Sequence, residues 1–373
     1  MRILISGGGT AGHINPALAI IGYARKMEED LEVLYVGKVD GMEQRLVTKA
    51  GYNMETIEIS GFSRKITPKG LRHNIKTLKL INESQKKSQK IIEDFDPDIC
   101  IGTGGYVSGP VIKQAQKMNI PTLIHEQNAF PGVTNKMLSR KASVVMLAVE
   151  DARQYMSPKA TFEVVGNPLR QDILRADKQK AREKLGLDER PVILSFGGSL
   201  GARAINEAMA EVIKKTCKDD EYQHIHGYGQ YGKWFEKRLK ESGVDIKAHK
   251  NLMINEYINN MSDCMAAADL VICRSGAITI SELQAMKKAS ILIPSPNVAE
   301  NHQYHNAMAL VNRQAADILE EKNLTGKALY EKIENILSDK KLLKRLGENA
   351  GEMAILDSNE RIYNIIKRES LKR

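Results

Sequence analysis

The sequence contains few cysteines and no long apolar run. Its four cysteines, Cys100, Cys217, Cys264 and Cys273, are scattered, without the paired spacing or neighbouring histidines of a zinc site or a secreted disulfide framework. No apolar segment approaches the roughly 18 residues that a membrane-spanning helix needs. The N-terminal segment, residues 1–6, is apolar for only a few residues, which is too short for a signal peptide. These absences indicate a protein of the reducing cytoplasm that is soluble or peripheral to a membrane.

Aromatic residues are also scarce, at 5% of the chain, which disfavours a surface that stacks the bases of single-stranded nucleic acid. Basic residues outnumber acidic ones by 55 to 46, so the net charge is +9. Such an excess predicts an anionic partner, and nucleic acid, anionic lipid and a phosphorylated substrate all satisfy that expectation. Charge alone does not choose among them.

Hydrophobic residues make up 42% of the 373 residues, and the usual size of a domain predicts two domains. Strand signals alternate with amphipathic helical stretches, which is the pattern of a parallel sheet covered by helices. The predicted strands are residues 2–6, 32–36, 98–102, 122–125, 143–147 and 162–165, then 191–196, 223–226, 245–249, 269–273 and 289–293. The sequence therefore predicts an α/β protein with two similar halves joined near residue 168.

The two halves begin alike, with a strand, a glycine-rich turn and a helix in direct succession. The segments are ILISGGGTAGH at residues 3–13 and ILSFGGSLGA at residues 193–202. Glycines allow a sharp turn and a close approach of the ligand, and the free N–H groups at a helix start favour phosphate oxygens. Each half is thus expected to carry a loop suited to phosphate.

A dinucleotide oxidoreductase is one alternative, because Gly7, Gly9 and Gly12 satisfy the G-x-G-x-x-G spacing. That class of enzyme needs an acidic residue at the end of the second strand to hold a ribose. Here the strand ends at Gly37, and Asp40 comes only later. The second requirement is therefore poorly met.

Further turn segments follow predicted strands at residues 102–110, 125–128 and 273–282. Ligands of open α/β sheets bind beyond the carboxyl ends of the strands. We therefore expect all five segments to border one crevice that the two domains share.

Seven segments form a more specific combination. They are GGTAGHINPA at 8–17, GGYVSGP at 104–110, HEQN at 125–128, GNPLR at 166–170, GGSLGA at 197–202, RSGA at 274–277 with Ser281 and Glu282, and Gln303 with Tyr304. In order and spacing they resemble the MurG family of UDP-N-acetylglucosamine (UDP-GlcNAc) transferases, which convert lipid I into lipid II in peptidoglycan synthesis. The resemblance extends to about residue 310.

The resemblance implies the GT-B fold, with two Rossmann-like domains whose parallel sheets face each other across a cleft. The expected domains are an acceptor- and membrane-associating one at 1–166 and a UDP-GlcNAc-binding one at 167–355, with a C-terminal helix at about 356–373 packing back on the first. The implied enzyme is an inverting hexosyltransferase that adds GlcNAc to the 4-hydroxyl of N-acetylmuramic acid (MurNAc) in lipid I.

The resemblance also implies the donor contacts. These are Thr10, Ala11, Gly12, Asn128, Arg170, Ser199, Ile258, Ala277, Ile278, Thr279, Glu282 and Gln303. Glu282 would hold the ribose hydroxyls, Ser199 and Arg170 the diphosphate, the backbone near Ile258 the uracil and Gln303 the transferred sugar. Each also has a structural interpretation: a first-turn charge on a helix, a helix cap, a surface cation, a core residue and a solvated amide, respectively.

The residues expected to act on the acceptor lie in the first half. The loop of Gly104, Gly105, Tyr106 and Ser108 is expected to contact the acceptor diphosphate. Direct displacement at the anomeric carbon needs a base for the attacking hydroxyl and stabilisation of the leaving diphosphate. His13 is the leading candidate for the base because it follows the last glycine at a helix start, matches the family's histidine and is a residue type that can accept a proton. His125 and Glu126 are the alternatives.

Two Asp-x-Asp sequences, formed by Asp94, Asp96 and Asp98, have the spelling of metal-dependent sugar transferases. They lie in a proline turn at the amino end of a predicted strand, away from the expected crevice, and are interpreted as turn and capping residues. We therefore expect a reaction without metal or other cofactor.

Residues 64–79 form a basic amphipathic segment that could rest on an anionic bilayer or, alternatively, pack on the core with a solvated basic side. The resemblance favours the membrane. The residues expected there are Lys69, Leu71, Arg72, Ile75, Lys76, Leu78 and Lys79.

The expected partners are UDP-GlcNAc, undecaprenyl-pyrophosphoryl-MurNAc-peptide (lipid I), an anionic membrane surface and other cell-wall enzymes, with no nucleic acid. The expected location is the cytoplasmic face of the cell membrane.

The chain departs from the family pattern at Ala11, where a glycine is common, and at Leu200, where many relatives have glutamine. These departures concern loop contacts and remove no proposed charge.

Two rival functions stay open. A UDP-GlcNAc epimerase of the same fold predicts turnover of the donor without a lipid acceptor. A non-enzymatic membrane or nucleic-acid binder leaves the glycine, Glu, Arg and Gln segments unexplained.

Overall fold

The computed structural model describes residues 1–61, 67–217 and 220–373. Within the helix Pro68–Phe95 it does not describe the side chains of residues 68–70, 73, 75, 76, 78 and 79. The chain divides into two compact units. Unit 1 comprises Met1–Pro168 with Asp357–Arg373, and unit 2 comprises Leu169–Leu356.

Unit 1 contains a parallel sheet flanked by helices. Its strands are β1 Arg2–Gly7, β2 Glu32–Lys38, β3 Asn53–Ile57, β4 Ile99–Gly104, β5 Thr122–Glu126, β6 Val144–Leu147 and β7 Phe162–Val164. Its helices up to residue 168 are α1 Ala11–Met27, α2 Met42–Lys49, α3 Pro68–Phe95, α4 Ser108–Lys117 and α5 Val133–Ser139. Over the described residues the strand order is β3-β2-β1-β4-β5-β6-β7. The order reverses between β1 and β4, which is where ligands of such sheets bind.

Unit 2 repeats this architecture. Its strands are β8 Val192–Phe196, β9 Gln223–Gly227, β10 Leu252–Asn255, β11 Leu270–Cys273, β12 Ala289–Leu292 and β13 Asp317–Ile318. Its helices are α6 Gln171–Arg175, α7 Lys178–Leu185, α8 Arg203–Thr216, α9 Phe235–Glu241, α10 Met261–Ala267, α11 Ala277–Ala285, α12 His302–Val311, α13 Gly326–Ser338 and α14 Lys340–Glu352. The order β10-β9-β8-β11-β12-β13, in the described part of the chain, places the reversal between β8 and β11.

The central strands are apolar on both faces because helices cover both sides of a parallel sheet. Ile3 and Ile5 of β1 pack with α1 in one core cluster, whereas Leu4 packs with α4 in another. The last helix of the chain, α15 at Ser358–Ser370, also belongs to unit 1 and contributes Ile362 and Ile366 to the cluster around Ile3. Residues from both ends of the chain therefore build one core.

The predicted α/β class with two Rossmann-like parallel sheets is confirmed. The predicted strand at 245–249 is wrong. Ile246–Ala248 forms a 3-10 turn that is capped by the Asp245 side chain, which accepts from Lys247 N. The strand next to β9 is β10, and it begins at Leu252. Among the described helices, none is long and apolar enough to cross a membrane.

Candidate active site

The first glycine loop, between β1 and α1, rests on two buried side chains. Tyr35 Oη donates to the carbonyl of Gly7 at 2.6 Å, and burial raises the pKa of this phenol well above its usual range. The buried Glu43 carboxylate accepts from Lys38 N at 2.9 Å and from Gly9 N at 3.3 Å. A Cβ at residue 8 would lie 2.3 Å from Glu43 Oε1, so this turn requires glycine. Sequence reasoning did not identify Tyr35 or Glu43.

The turn between β4 and α4 lies against this loop. Gly8 N donates to the carbonyl of Gly104, and Thr103 Oγ1 donates to the carbonyl of His13 at 2.8 Å. Gly104 has a φ of +106°, and a Cβ on it would lie 2.8 Å from His13 Nδ1. A Cβ on Gly105 would lie 2.2 Å from the carbonyl oxygen of Gly8. The structure therefore brings predicted His13, Gly104 and Gly105 together.

The other predicted loop residues differ in exposure. Tyr106 is exposed, whereas Ser108 is buried and donates to the carbonyl of Gly105. Thr10 precedes α1 in an extended conformation, and Ala11 and Gly12 form the exposed first turn of the helix. Alanine suits a right-handed helical backbone, so Ala11 needs none of glycine's freedom at this position.

The segment HEQN ends β5 next to His13. His125 is fully buried, with Nε2 3.0 Å from the carbonyl oxygen of Gly166 and Nδ1 2.9 Å from Gln127 Nε2. Burial lowers the pKa of His125 to about 4, so this imidazole is neutral at pH 7. Gln127 Oε1 lies 3.2 Å from His13 Nδ1.

Glu126 organises the loop after β5. One carboxylate oxygen accepts from the backbone and side-chain N–H groups of Asn128, and the other accepts from Gly132 N and Asn135 Nδ2. Glu126 is 1% exposed. Its four hydrogen bonds assign the carboxylate to holding the loop and placing Asn128.

In unit 2, a buried carboxylate lies beyond the carboxyl end of β11. Glu282 lies in the second turn of α11, so its interpretation as a first-turn charge is wrong. Burial raises the pKa of the Glu282 carboxyl, and the charge of Arg170 opposes the rise. Arg170 Nε is 3.6 Å from Glu282 Oε1 and 3.5 Å from Asp172 Oδ1. The first turn of the same helix, which is only partly exposed, holds Ala277, Ile278 and Thr279.

The second glycine loop, between β8 and α8, is exposed at Gly198, Ser199 and Leu200. Ser199 is not a helix cap, because Ala202 occupies the N-cap of α8. A Cβ on Gly201 would lie 2.2 Å from the carbonyl oxygen of Tyr228, so the loop closes tightly on the end of β9. Ile258 is buried there, against Gly227.

Gln303 lies at the start of α12 and is bonded to the turn after β11. Its backbone carbonyl accepts from Ser275 Oγ at 2.8 Å, and its Oε1 accepts from Ser295 N at 2.9 Å. Within the described part of the chain, no hydrogen bond of the Gln303 side-chain NH₂ group is found. Arg274 donates to the carbonyls of Ile293 and Pro294 and therefore fixes strand ends.

Asp96 and Asp98 have structural contacts at the amino end of β4. Asp98 Oδ2 accepts from Arg2 N at 2.7 Å, and Asp96, with a φ of +48°, pairs with Arg373. Among the described residues, no group of three His, Cys, Asp or Glu side chains is placed to hold a metal ion.

The predicted membrane segment is described only in part. Leu71 is 65% exposed and Arg72 is exposed. The side chains of the other five residues, Lys69, Ile75, Lys76, Leu78 and Lys79, lie outside the described part. A surface pocket between α4 and α5 is lined by Lys113, Gln116, Lys117, Met137, Leu138, Arg140 and Lys141. Val133 and Met137, one turn apart on α5, are 67% and 56% exposed. We call these seven lining residues, together with Val133, the basic pocket.

Comparison with known proteins identifies the family. The glycosyltransferase family 28 N-terminal domain matches residues 3–147, and the C-terminal domain of the same family matches residues 192–367. The UDP-N-acetylglucosamine–N-acetylmuramyl-(pentapeptide) pyrophosphoryl-undecaprenol N-acetylglucosamine transferase of Acetivibrio thermocellus is 44% identical over 368 residues, or 98% of each chain.

Solved structures agree. The crystal structure of Acinetobacter baumannii MurG is 28% identical, with a TM-score of 0.79, and covers 98% of this chain and 99% of its own. A UDP-GlcNAc 2-epimerase from Neisseria meningitidis, bound to UDP-GlcNAc, has a TM-score of 0.64 over 100% of both chains, but at 14% identity this likeness shows the fold alone. The chain therefore belongs to the MurG family of glycosyltransferases.

Proposed function

We propose that this protein is an inverting hexosyltransferase that moves GlcNAc from UDP-GlcNAc to the 4-hydroxyl of MurNAc in lipid I, giving lipid II and UDP. The observation that carries the proposal is the imidazole of His13 beyond β1. This side chain is only partly buried, its Nδ1 contacts Gln127, and no bond to its Nε2 is found among the described residues. Its position in a chain 44% identical to a named transferase favours catalysis.

His13 Nε2 is the proposed general base. It takes the proton of the acceptor hydroxyl as that oxygen bonds to the anomeric carbon of GlcNAc, while the bond from this carbon to the diphosphate oxygen breaks and UDP leaves. Attack opposite the leaving group inverts the anomeric carbon. His125 is a poorer base because it is buried with both ring nitrogens in contact, and Glu126 is committed to four loop hydrogen bonds.

UDP is proposed to bind residues of unit 2. Glu282 accepts from the ribose hydroxyls, because a buried carboxylate gains most from a hydrogen-bond donor. Arg170 and the exposed N–H groups near Ser199 face the diphosphate and stabilise its developing charge. The side-chain NH₂ of Gln303 donates to the sugar. Contacts of Thr10, Ala11, Gly12 and Asn128 with the donor, and of Gly104, Gly105, Tyr106 and Ser108 with the acceptor diphosphate, stay predictions.

The reaction is proposed to need no metal. Support comes from Asp96 and Asp98, whose carboxylates bond to Arg373 and to the backbone of Arg2 and so serve the turn before β4. Charge on the diphosphate is then balanced by Arg170 and by backbone N–H groups.

The acceptor is lipid-linked, so we propose that unit 1 contacts an anionic membrane through the basic pocket, at the cytoplasmic face. Lys113, Lys117, Arg140 and Lys141 supply positive charge beside exposed Met137. Basic side chains around an exposed apolar surface suit an interface of phosphate headgroups and acyl chains. This proposal extends the predicted surface from α3 to α4 and α5.

The decisive experiment mixes the purified protein, labelled UDP-GlcNAc and a lipid I analogue, with and without a chelator. Labelled lipid II is expected in both samples. Absence of labelled lipid would reject the transferase, whereas loss of product with chelator would reject only the metal-independent form. Donor turnover without acceptor would support the epimerase instead.

His13→Ala tests the base, with His249→Ala as a control at a partly exposed histidine of unit 2. The first variant is expected to lose about 100-fold or more in kcat, the range of general base catalysis, and the second to retain it. Full turnover by His13→Ala would remove His13 as the base.

A further inference from the structure

Gln127 is a buried side chain to which the transferase chemistry gives no role. It is 2% exposed, and its amide contacts three groups. Gln127 Nε2 lies 2.9 Å from the carbonyl oxygen of His125 and 2.9 Å from His125 Nδ1. On the other side, Gln127 Oε1 lies 3.2 Å from His13 Nδ1. The amide thus joins His13 and His125, the two histidines that the sequence analysis proposed as alternative bases.

The orientation of this amide follows from the carbonyl of His125. A backbone carbonyl oxygen can only accept a hydrogen bond, so the atom facing it must be the NH₂ group and not the oxygen. The side-chain oxygen then faces His13 Nδ1. Because that oxygen can only accept, Nδ1 must carry the proton in neutral His13. His13 Nε2 is then the nitrogen with the free lone pair.

The hydrogen bonds of His125 agree with this orientation of the Gln127 amide. His125 Nε2 faces the carbonyl oxygen of Gly166, so it carries the proton of that ring. His125 Nδ1 is left as an acceptor, which matches the NH₂ of Gln127. Burial, which lowers the pKa of His125 to about 4, keeps this ring neutral. Only one arrangement of protons therefore gives every donor an acceptor between His13 and the carbonyl of Gly166. In it, both Nδ1 of His13 and Nε2 of His125 carry a proton.

We propose that Gln127 is a positioning residue that selects the Nδ1–H tautomer of His13, with the carbonyl of Gly166 and neutral His125 fixing the direction of its amide. The proposal rests on the proposed role of His13 as the base, since the selected tautomer presents a bare Nε2 to the acceptor hydroxyl. The opposite tautomer would present N–H, which cannot take a proton. The hydrogen bond on Nδ1 also strengthens as the imidazolium forms.

The tautomer can be measured without substrate. In protein labelled with ¹⁵N-histidine, two-bond ¹⁵N–¹H spectra distinguish protonated from bare ring nitrogens, and the resonances missing from His13→Gln assign His13. A protonated Nδ1 and a bare Nε2 are expected in the unsubstituted protein. A protonated Nε2 would overturn the proposal whether or not His13 is the base.

Two substitutions test Gln127 itself. Gln127→Leu removes the acceptor, so the proton on neutral His13 is expected to move to Nε2, with kcat about 100-fold lower and the KM for UDP-GlcNAc unchanged. Gln127→Glu keeps an acceptor for Nδ1–H and is expected to retain the tautomer and to restore most of the lost kcat. An unchanged tautomer in Gln127→Leu, or a tautomer lost in Gln127→Glu, would contradict the proposal.

Gln223→Leu is the matched control. Gln223 is 3% exposed and, like Gln127, makes three side-chain hydrogen bonds, to the backbone of Asp188 and Arg190 in unit 2. The substitution Gln223→Leu is expected to lower the free energy of unfolding of unit 2 while leaving the tautomer of His13 unchanged. If the tautomer is as expected but His13→Ala keeps full turnover, the proposed base fails and the tautomer selection by Gln127 stands.

Discussion

Gly104 controls the position of His13 through the space that it leaves. The ring of His13 occupies the space that a side chain at residue 104 would need. A Cβ there would lie 2.8 Å from His13 Nδ1 and 2.9 Å from His13 Cε1. The contact between His13 and Gln127 therefore depends on a residue without a side chain. A glycine motif that is usually explained by phosphate binding here also shapes the setting of the proposed base.

Gly104→Ala is expected to displace the ring from Gln127 and to lower kcat by about 10-fold to 100-fold, since misplaced catalytic groups cost this much. Steady-state kinetics with a lipid I analogue would measure it. Gly51→Ala is the control, because Gly51 also has a positive φ, +77°, but a Cβ there meets nothing within 4 Å. Equal losses in the two variants would assign the effect to backbone strain instead.

Glu282→Gln is expected to raise the Kd for UDP by about 10-fold, because hydrogen bonds to a charged acceptor contribute about 1.5–3 kcal/mol. The raised pKa of this carboxyl adds a pH dependence: its ionised fraction falls as the pH falls, so binding of UDP should weaken toward acidic pH. Calorimetric titration would measure both effects. Glu348→Gln, at an exposed carboxylate paired with Lys344, is expected to change neither.

The candidate site could be predicted from sequence at the level of motifs and not of networks. Gly104, His13 and Glu282 stand in motifs that can be read directly. Glu43 and Gln127 could not be assigned in this way, because their roles depend on partners that the fold supplies. Glu43 bonds to Gly9, 34 positions away, and Gln127 bonds to His13, 114 positions away.

Strand β9 carries two buried histidines whose neutrality affects stability. His224 Nε2 bonds to Thr216 Oγ1 and His226 Nδ1 bonds to Ser195 Oγ, both at 2.8 Å. Burial lowers the pKa of His224 to about 4 and, together with the charge of His224, that of His226 to about 3. In the unfolded chain both titrate near 6.5. Protonation between these values therefore favours the unfolded state.

The free energy of unfolding of unit 2 should be highest above about pH 6.5 and fall as the pH decreases toward 4. Trp234, the single tryptophan of the sequence, packs on the core of unit 2 and reports its unfolding by fluorescence. His226→Gln should reduce the slope by up to about 1.4 kcal/mol per pH unit, whereas His249→Gln, at a partly exposed position, should not. An unaltered slope in His226→Gln would refute the assignment.

Most elements could be predicted from sequence because buried parallel strands are continuous apolar runs, as at β1, β4 and β11. Two short edge strands, β3 and β13, were not predicted, since their pairing with neighbours defines them more than their composition does. Residues 245–249 alternate apolar and polar side chains as a strand would. The capping of a turn by Asp245 and the pairing of Leu252 with His224 decide the outcome instead.

The net charge of +9 is a property of the whole molecule, but the basic pocket concentrates part of it beside exposed apolar side chains. Lys113→Ala with Arg140→Ala should weaken binding to anionic vesicles by about 2 kcal/mol, taking about 1 kcal/mol per basic residue. Sedimentation with vesicles, at low and high salt, would measure it. The control pair is Lys327→Ala with Lys344→Ala, two exposed lysines on α13 and α14 of unit 2. A matching loss in the control would indicate attraction by net charge alone.

Helix α15 makes the core of unit 1 depend on residues beyond unit 2. Ile366→Ala is expected to destabilise unit 1 by about 2–5 kcal/mol, the usual cost of such a truncation in a core. Hydrogen exchange of β1 and β4 amides would report the loss within unit 1. Leu371→Ala, at a side chain that is 81% exposed, should stay within about 0.5 kcal/mol of the unsubstituted protein. Equal rates of amide hydrogen exchange in the two variants would show that the core of unit 1 does not depend on α15.

The same helix also sets an order of events on the ribosome. Residues Leu169–Leu356 leave the exit tunnel before α15 does, so unit 2 has its full sequence while the first core still lacks Ile362 and Ile366. The half that is translated first is therefore the half that is completed last. During that interval the apolar surface of α1 and β4 that α15 will cover is open to chaperones, and a nascent chain stalled before residue 357 would display it.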